Sequence, residues 1–317
     1  GDPKEIFNTT KNLQKKFSEK RVFDVPASEN ALTGIAIGSA IKNCKVVLSH
    51  QRVDFALLAM DQMINNASKF HYIFNGKINV PITIRLIIGR GWGQGATHSQ
   101  SLQSTFSHFP GLKVVMPSTP DDAKKLLISS IFDPNPVIFL EHRWLHDQKG
   151  KVETGFKKKI IGKANILNNG KDLTIISNSY MTSEAKLATE ILKKNNIGVD
   201  LIDLNTIKPL DTKTIIKSVK KTGNLIIIDS GFNFLSIASE IISILSTNSL
   251  KYFKSEPIKL TMPDIPVPSS FSLTKKIYPG YLDIIKAAER IFKKKLKFNK
   301  IQKSLHDIPN KYFTGPF

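Results

Sequence analysis

Strand-length apolar runs alternate with helical patterns twice along this chain, and no other sequence feature restricts the fold as much. In the first half, periodicity predicts helices over Ala56–Phe70 and from Pro120 to about Phe132. The predicted strands of this half are Lys45–Leu48, Val80–Ile88, Leu112–Met116 and Val137–Leu140. Because strands joined through helices run in the same direction, the pattern indicates a mostly parallel sheet with helices on both faces.

The alternation stops between Asp147 and Gly170, where Lys and Gly are frequent, and then starts again. Predicted strands follow at Leu173–Ser177, Val199–Leu204 and Leu225–Asp229, and predicted helices at Ser183–Lys194, Thr212–Lys220, Leu235–Leu245 and Tyr281–Phe292. At roughly 150 residues per domain, the 317 residues suffice for about two domains. We therefore predict an α/β fold with a first domain over residues 1–150, a linker over 151–170, a second domain over 171–295 and a C-terminal extension over 296–317.

Composition excludes several classes of protein. The single cysteine, Cys44, cannot form an intramolecular disulfide, and no apolar run approaches the roughly 18 residues of a membrane span. The net charge of +20 comes mostly from lysines spread along the chain, without a basic patch interleaved with aromatic residues, so we expect no nucleic-acid partner. Such a charge instead favours an acidic protein surface as partner.

No secretory leader is visible, which favours a cytoplasmic location. The first residue is Gly rather than Met, which suggests that an upstream segment was removed or omitted.

A helix rich in Gly and Ala follows the sequence Arg21–Asn30, and Glu29 stands at its N-terminal edge. Small residues at this spacing allow a helix to pack close to another backbone. Glu29 has two interpretations on local sequence alone: an acid in the first turn that complements the helix dipole, or a carboxylate held at a cofactor site.

A glycine-rich segment, Gly89–Gln100, directly follows the longest apolar strand. It matches neither a Walker A loop nor a Rossmann fingerprint, because the required spacing and the following Gly-Lys-Ser/Thr are missing. It is either a flexible loop or a ligand-binding loop, since α/β proteins place ligands at the carboxyl ends of parallel strands. In the second case His98 is a catalytic candidate.

The sequence Asp133-Pro134-Asn135-Pro136 follows the helix predicted from Pro120. Its simplest interpretation is a helix stop. A tight turn here would also expose several backbone carbonyls.

In combination, these motifs resemble the β subunit of the E1 component of 2-oxo acid dehydrogenases. The resemblance rests on FDVPASEN with its small-residue helix, HSQ at 98–100, HFPGLKVVMPSTPDDAKKLL at 108–127 and DPNPVIFLE at 133–141. The later stretches DLTIISNSYM, DLNTIKPLD and VPSSFSLTKKIYPG are similar to the transketolase C-terminal domain of the same subunits. The resemblance covers essentially the whole chain, although family members carry a further N-terminal segment of a few tens of residues. It implies a thiamine-diphosphate pyrimidine-binding domain followed by a transketolase C-terminal domain.

The resemblance also implies roles for individual residues. Glu29 matches the glutamate that contacts the pyrimidine ring of thiamine diphosphate, and Phe55 matches the aromatic residue that packs on that ring. His98 matches the active-site histidine near the thiazolium ring, and Gln51 is a further cofactor-binding candidate. Asp133 and Asn135 match a loop that binds structural potassium through carbonyls in some relatives, although Pro134 differs from the usual residue there.

The chain contains no Gly-Asp-Gly sequence, which thiamine enzymes use to hold the diphosphate through Mg²⁺. We therefore expect this chain to supply only the pyrimidine half of the cofactor site. An E1 α subunit would supply the Mg²⁺–diphosphate half in an α₂β₂ heterotetramer, and a lipoyl-bearing E2 would receive the acyl group. The family resemblance implies a cytoplasmic protein, or one of the mitochondrial matrix in a eukaryote.

Several residues depart from the common pyruvate-type pattern. The candidates for a changed substrate pocket are His50, Arg52, His142 and Arg143; the alternative is that they belong to an interface or to the surface. The competing enzyme function is a two-subunit transketolase-like or acyloin-forming enzyme that needs no lipoyl group. A basic binding module without chemistry is the non-enzyme alternative, and the presence of Glu29, Phe55 and His98 argues against it.

Overall fold

In the computed structural model, which describes residues 9–91, 93–146 and 148–301, strands and helices alternate as the sequence pattern predicts. The elements of the first half are α1 (Leu13–Phe17), α2 (Glu29–Ile41), β1 (Val46–His50), α3 (Val53–Ala56), α4 (Phe70–Ile73), β2 (Ile82–Ile88), α5 (Gln103–His108), β3 (Lys113–Val115), α6 (Pro120–Ile131) and β4 (Val137–His142). Those of the second half are β5 (Asn165–Asn168), β6 (Leu173–Ser177), α7 (Ser179–Lys194), β7 (Val199–Asp203), β8 (Thr206–Lys208), α8 (Thr212–Thr222), β9 (Leu225–Phe232), α9 (Ile237–Ser249), β10 (Ile258–Met262), α10 (Phe271–Thr274) and α11 (Tyr281–Phe292). Most of the predicted C-terminal extension, residues 302–317, lies outside the described residues.

The first sheet has the strand order β1-β2-β4-β3-β8. Neighbours among β1, β2, β4 and β3 pair in parallel, whereas β8 pairs with β3 in the antiparallel direction, with Val114 opposite Lys208. The strand β8 comes from the second half of the chain, so the two halves share a sheet. Three residues of a short edge strand carry too little periodicity to be detected in the sequence.

Strand β2 is buried on both faces because helices cover both sides of this sheet. Ile84 and Leu86 belong to a large apolar cluster that includes residues of α2 and α3. On the opposite face, Phe139 of β4 packs with Leu126 of α6. This double coverage explains the nearly continuous apolar run, which is typical of buried parallel strands.

The second sheet has the order β10-β9-β6-β7-β5 and is parallel except for the edge strand β5. Adjacent residues of β6 face opposite layers: Ile175 packs in the cluster formed with α7 and α11, and Ile176 in the cluster that contains residues of α8 and α9. The fold class of two α/β units is confirmed. The segment predicted as a linker, 151–170, contains β5, whose Ile166 and Leu167 are exposed; a short exposed edge strand lacks the apolar alternation of a buried one.

The helix predicted over Ala56–Phe70 is interrupted. A 3₁₀ turn at Leu57–Ala59 and a π-helical segment at Gln62–Ala67 separate α3 from α4. Within the π segment, the side chain of Asn66 donates to the Oε1 atom of Gln62 at 2.9 Å. Apolar spacing does not distinguish a π turn from an α turn in so short a segment, so the sequence predicts one continuous helix. By contrast, α6 begins as predicted, with Pro120 in its first turn and the Thr119 hydroxyl accepting from the backbone N–H of Asp122 at 3.1 Å.

A buried polar network joins the two halves at Asp203. Its Oδ1 atom accepts from the hydroxyl of Ser118 in the first half at 2.7 Å and from that of Thr182 at 3.1 Å, and its Oδ2 accepts from the side chain of Asn205 at 2.8 Å. Burial raises the pKa of Asp203 to about 6, although the hydrogen bond from Ser118 opposes that shift. Within the described residues, no helix has the length and apolarity needed to cross a lipid bilayer.

The raised pKa of Asp203 predicts a pH-dependent contribution to stability. Because the folded state binds the proton more tightly than the unfolded state, this group favours folding below about pH 4 and loses that effect as the pH rises through about 6. We expect the free energy of unfolding of the wild type, relative to Asp203→Asn, to fall by up to about 3 kcal/mol between pH 4 and pH 7. Urea unfolding across this range measures it, with the exposed Asp264→Asn as control. The prediction would be contradicted if the difference in unfolding free energy between the wild type and Asp203→Asn did not change with pH.

Candidate active site

The carboxyl ends of β1, β2 and β4 lie side by side at one edge of the first sheet. The register pairs His50 with Leu86 and Ile88 with His142, so the segments that leave these strands emerge together. They are the turn into α3, the glycine-rich loop Gly89–Gln100 and the 3₁₀ turn Arg143–Leu145. This edge is where parallel α/β sheets place their ligands.

Glu29 opens α2 beside the end of β1. Thr33, one turn later, donates its hydroxyl proton to the carbonyl of Glu29 at 2.7 Å, and its oxygen lies 3.3 Å from the Nε2 atom of His50. The Thr33 oxygen is therefore placed to accept from a protonated Nε2. The pKa of His50 lies below its usual value because burial outweighs the attraction of Glu29. Glu29 itself is half-buried at this edge.

Phe55 and His98, which the sequence analysis predicts as site residues, are in contact. Their ring centroids are 5.2 Å apart and the ring planes are perpendicular. Phe55 retains 36% of its surface exposed, an unusual fraction for a phenylalanine beside a buried strand end. The Nδ1 atom of His98 lies 2.9 Å from the hydroxyl oxygen of Thr97, which orients the imidazole. Gln51, the other predicted cofactor residue, is exposed in the turn before α3.

The glycine-rich loop is fixed at both ends, so it differs from the flexible loop of the alternative interpretation. The backbone N–H of Gly89 donates to the carbonyl of Gln100 at 3.2 Å. The side chain of Gln100 in turn donates to Asp54 of α3 at 2.8 Å. Gly89 has a φ of +81°, and a Cβ at this position would lie 2.6 Å from the ring of His142. Only glycine satisfies both conditions without strain.

The middle of this loop is held by the second half of the chain. Arg90 is 1% exposed; its Nε donates to the carbonyl of Gln94 at 2.8 Å and its Nη2 donates to the carbonyl of Ser269. A Cβ at Gly95 would lie 2.3 Å from the Oγ of Ser269, which shows how closely the two segments approach. The shape of the loop therefore depends on the segment between β10 and α10.

Arg52 contacts the loop at the backbone of His98. Its Nη1 donates to the carbonyl of His98 at 3.3 Å, and only 6% of its surface is exposed. The pKa of Arg52 falls to about 10, mainly because of burial and secondly because of the positive charge of Arg143, with Asp54 opposing the shift. The guanidinium of Arg143 packs against the same loop: a Cβ at Gly91 would lie 2.8 Å from its Cζ.

His142 has no accessible surface, and its ring lies against Gly89 at the start of the loop. Its ring stacks on Tyr180 of α7 with centroids 5.2 Å apart, and its Nδ1 accepts from the backbone N–H of Trp144 at 3.3 Å. Because it is fully buried against Tyr180 of the second half, His142 helps to pack the two halves of the chain together. Of the predicted substrate residues, Arg52 and Arg143 contact the loop, His50 lies near Glu29, and the ring of His142 packs against Gly89.

The predicted potassium loop lies away from this edge, beyond the end of α6. The carboxylate of Asp133 accepts from the backbone N–H of Asn135 at 2.9 Å and forms an ion pair with Lys113 at 2.6 Å. The side-chain charge of Asp133 is therefore matched by a lysine. Among the described residues, no group of three or more His, Cys, Asp or Glu is placed to hold a metal ion.

Sequence reasoning missed three residues that position this site. Thr33 connects Glu29 to His50, Gln100 connects the loop to α3, and Ser269 contacts the loop from the second half. Gln100 lies in the HSQ motif and Ser269 in VPSSFSLTKKIYPG, and the resemblance of these two motifs to the family was the signal that could have pointed to both residues. The contact of Ser269 with residues 90–95 spans more than half of the chain and leaves no trace in local spacing.

Comparisons with known proteins assign both halves of the chain. Residues 6–148 match the transketolase pyrimidine binding domain, and residues 162–280 match the transketolase C-terminal domain. The chain is 36% identical over 285 residues to the pyruvate dehydrogenase E1 component subunit beta of Rickettsia bellii, covering 90% of this chain and 88% of that protein. It is 38% identical over 288 residues to the acetoin:2,6-dichlorophenolindophenol oxidoreductase subunit beta of Cupriavidus necator, covering 91% and 85%.

A mitochondrial protein and a solved structure extend these comparisons. The pyruvate dehydrogenase E1 component subunit beta-1 of Oryza sativa subsp. japonica is 36% identical over 294 residues, covering 92% of this chain and 79% of that protein. The structure described as a split gene transketolase, inactive beta4 tetramer, superposes with a TM-score of 0.73 at 19% identity and covers 90% of both chains. That structure supports the fold.

The geometry of the loop predicts that Gly89→Ala destabilises the protein more than Gly93→Ala. Both glycines have a positive φ, but a Cβ at Gly89 would overlap the ring of His142, whereas nothing lies within 4 Å of a Cβ at Gly93. We expect Gly93→Ala to cost about 1–2 kcal/mol from backbone strain, and Gly89→Ala a further ~1–3 kcal/mol from overpacking. Denaturant unfolding of the two variants tests this, and equal losses would show that the His142 contact is unimportant.

Proposed function

Because this chain belongs to the family of E1 β subunits that includes its pyruvate dehydrogenase and acetoin oxidoreductase relatives, we propose that it is the β subunit of a thiamine-diphosphate-dependent 2-oxo acid dehydrogenase. The observation that carries the proposal is the contact of a partly exposed Phe55 with His98 at the carboxyl edge of the first sheet. A flat apolar ring and an imidazole, with Glu29 on the adjoining helix start, are the side chains that such a site requires.

The side chains at this edge fit the pyrimidine half of thiamine diphosphate. When bound, this cofactor supplies a carbon nucleophile that attacks the carbonyl group of a 2-oxo acid and stabilises the electron pair left after loss of CO₂. Phe55 offers an exposed aromatic face of the kind that packs on a heteroaromatic ring. Glu29 and Gln51 offer polar groups at the same edge, which would bind ring and exocyclic nitrogens.

The residues of this chain would act mainly on protons and on orientation. Glu29 would hold a hydrogen bond to a pyrimidine ring nitrogen and so control proton transfer at the reacting carbon. His98, oriented by Thr97 and by its contact with Phe55, would donate or accept a proton at the substrate oxygen. The fixed loop Gly89–Gln100 would keep His98 in place between turnovers.

We further propose that an E1 α subunit supplies the Mg²⁺ and diphosphate half of the cofactor site and that the assembly is an α₂β₂ heterotetramer. The lack of Gly-Asp-Gly in this chain supports that division. A lipoyl-bearing E2 would receive the acyl group. We propose that this chain acts in the cytoplasm of a bacterium or in the mitochondrial matrix, because its relatives include bacterial and mitochondrial proteins. Binding of a potassium ion at the loop of Asp133 and Asn135 stays a prediction; backbone carbonyls would coordinate the ion.

The second candidate function is supported by the relative from Cupriavidus necator, an acetoin oxidoreductase subunit at 38% identity. The same carbon nucleophile would then act on an acyloin or an aldehyde, without a lipoyl acceptor. Acyl transfer to lipoyl-E2 by the reconstituted assembly distinguishes the two functions.

Replacing Glu29 tests the proposed chemistry. Glu29→Gln keeps the size of the side chain and removes the acid, so we expect activity to fall about 100-fold or more while the fold is retained. NMR measurement of hydrogen exchange at the C2 atom of the bound cofactor gives a direct readout. The exposed helical residue Glu190 provides the matched control, Glu190→Gln. Exchange within a few-fold of the wild-type rate would remove Glu29 from the mechanism.

The divided cofactor site makes a second prediction. The isolated chain should bind thiamine diphosphate weakly in the presence of Mg²⁺, because it carries the pyrimidine side of the site alone. Addition of the α subunit should produce tight binding. Isothermal calorimetry of the purified chain, with and without its partner, measures both. Micromolar affinity for the chain by itself would contradict the division.

A further inference from the structure

A second group of buried polar side chains lies at the carboxyl ends of β6 and β9, outside the candidate active site. These strands are neighbours in the second sheet, and Ser177, the last residue of β6, pairs with Ile228 of β9. The helices that follow them lie on opposite faces of the sheet, because α7 packs in one apolar cluster and α9 in the other. In parallel α/β sheets, the crevice between two such strands is where ligands bind.

Three side chains meet in this crevice, and Asp229 is the one that contacts both others. Gln103 of α5 donates from Nε2 to the Oδ1 atom of Asp229 at 2.7 Å, and Asn178, directly after β6, donates from Nδ2 to the same atom at 3.1 Å. The backbone N–H of Gly231 is a third donor to this oxygen, at 3.2 Å. None of the three side chains belongs to a residue with more than 2% of its surface exposed. The crevice therefore joins the second sheet to the helix that follows the glycine-rich loop.

The remaining oxygen atoms of these three side chains have no hydrogen-bond partner among the described residues. They are Oδ2 of Asp229, Oε1 of Gln103 and Oδ1 of Asn178, and each is buried. The carboxylate fixes which way both amides face, because a flipped amide would turn its oxygen towards Asp229. Both amide nitrogens donate to one carboxylate oxygen, so covalent geometry keeps each amide oxygen within about 5 Å of that atom. Three buried electron-pair donors thus surround one carboxyl group.

Asp229 differs in this respect from the other buried aspartates of the second sheet. Asp200 forms an ion pair with Lys221 at 2.8 Å, and both oxygens of Asp203 accept hydrogen bonds from side chains. In the part of the chain that the structure describes, no lysine, arginine or histidine forms an ion pair with Asp229. Burial raises the pKa of Asp229, as expected for a carboxyl group without a cation beside it.

We propose that Asp229, Gln103 and Asn178 bind a monovalent alkali-metal cation in the crevice between β6 and β9. All three unpartnered atoms are oxygens, and carboxylate and amide oxygens are the ligands of hard cations. One carboxylate with two neutral amides balances a single positive charge, whereas a divalent ion would leave an excess charge in a buried place. Gly231 keeps one side of the carboxylate uncovered, since a Cβ there would lie 3.2 Å from Oδ2 of Asp229.

The bound ion strengthens the junction between the second domain and the part of the first domain that carries His98. Gln103 begins α5 three residues after the glycine-rich loop ends at Gln100, and the ion adds a second link between this residue and the second sheet. The site is separate from the loop of Asp133 and Asn135. The inference does not depend on the proposed function, because it concerns binding by this chain alone.

Thermal unfolding of the full-length chain tests the site without any turnover. Potassium chloride and sodium chloride are each compared with choline chloride at the same ionic strength, because choline is too large for a buried site of this kind. At least one of the two metal ions should raise the unfolding midpoint in a saturable way, by about 2 °C or more at concentrations far above its dissociation constant. Equal midpoints in all three salts overturn the inference and leave the proposed function in place.

Two variants locate the ion. Asp229→Asn keeps the shape, removes the charge and supplies an N–H that can donate to an amide oxygen, so it should fold and lose the response to the ion. Asn178→Ala keeps the charge and removes one ligand, so the apparent affinity for the ion should fall about tenfold or more. This second variant decides the question if Asp229→Asn does not fold.

The controls are Asp264→Asn, at an exposed aspartate, and Asp133→Asn, at the predicted potassium loop. Both should still respond to the ion, since neither residue contacts the crevice. A response that survives unchanged in the variants of Asp229 and Asn178, or one that disappears in Asp133→Asn, overturns the inference.

Discussion

The site depends on the parallel pairing of β2 with β1 on one side and β4 on the other. This pairing brings three strand ends to one edge, and with them the turn before α3, the glycine-rich loop and the residues after β4. The register cannot shift by one residue, because Ile84 and Leu86 would then leave the apolar cluster and point to the opposite face of the sheet. Core packing of β2 therefore fixes where the chemical groups stand relative to one another.

Strong periodicity made most of the fold predictable. The buried strands β2, β4, β6 and β9 and the amphipathic helices α6, α8 and α11 were all found close to their observed bounds. The missed elements include β5, β8 and β10, which are short edge strands whose pairing depends on partners far along the chain. The π segment at Gln62–Ala67 was missed for a different reason: it changes the hydrogen-bond partner without changing which residues are apolar.

The sequence was sufficient to predict which residues form the site, but it predicted their arrangement only in part. Motifs singled out Glu29, Phe55 and His98, and the structure brings the last two into contact. Local sequence could not show that Arg90 and Ser269 join across the two halves, because such contacts arise from packing between domains. It also could not separate the roles of His142 and Arg143, adjacent residues of which the first is enclosed and the second contacts the loop.

The participation of β8 in the first sheet has a consequence for synthesis on the ribosome. The chain is made from its N-terminus, so β1 to β4 emerge well before residues 206–208, which complete that sheet. Until then β3 presents an open edge whose backbone groups can pair with those of another nascent chain. Closure by β8 couples the maturation of the first domain to translation of the second. Expressing the first domain as a separate fragment would leave this edge permanently unpaired.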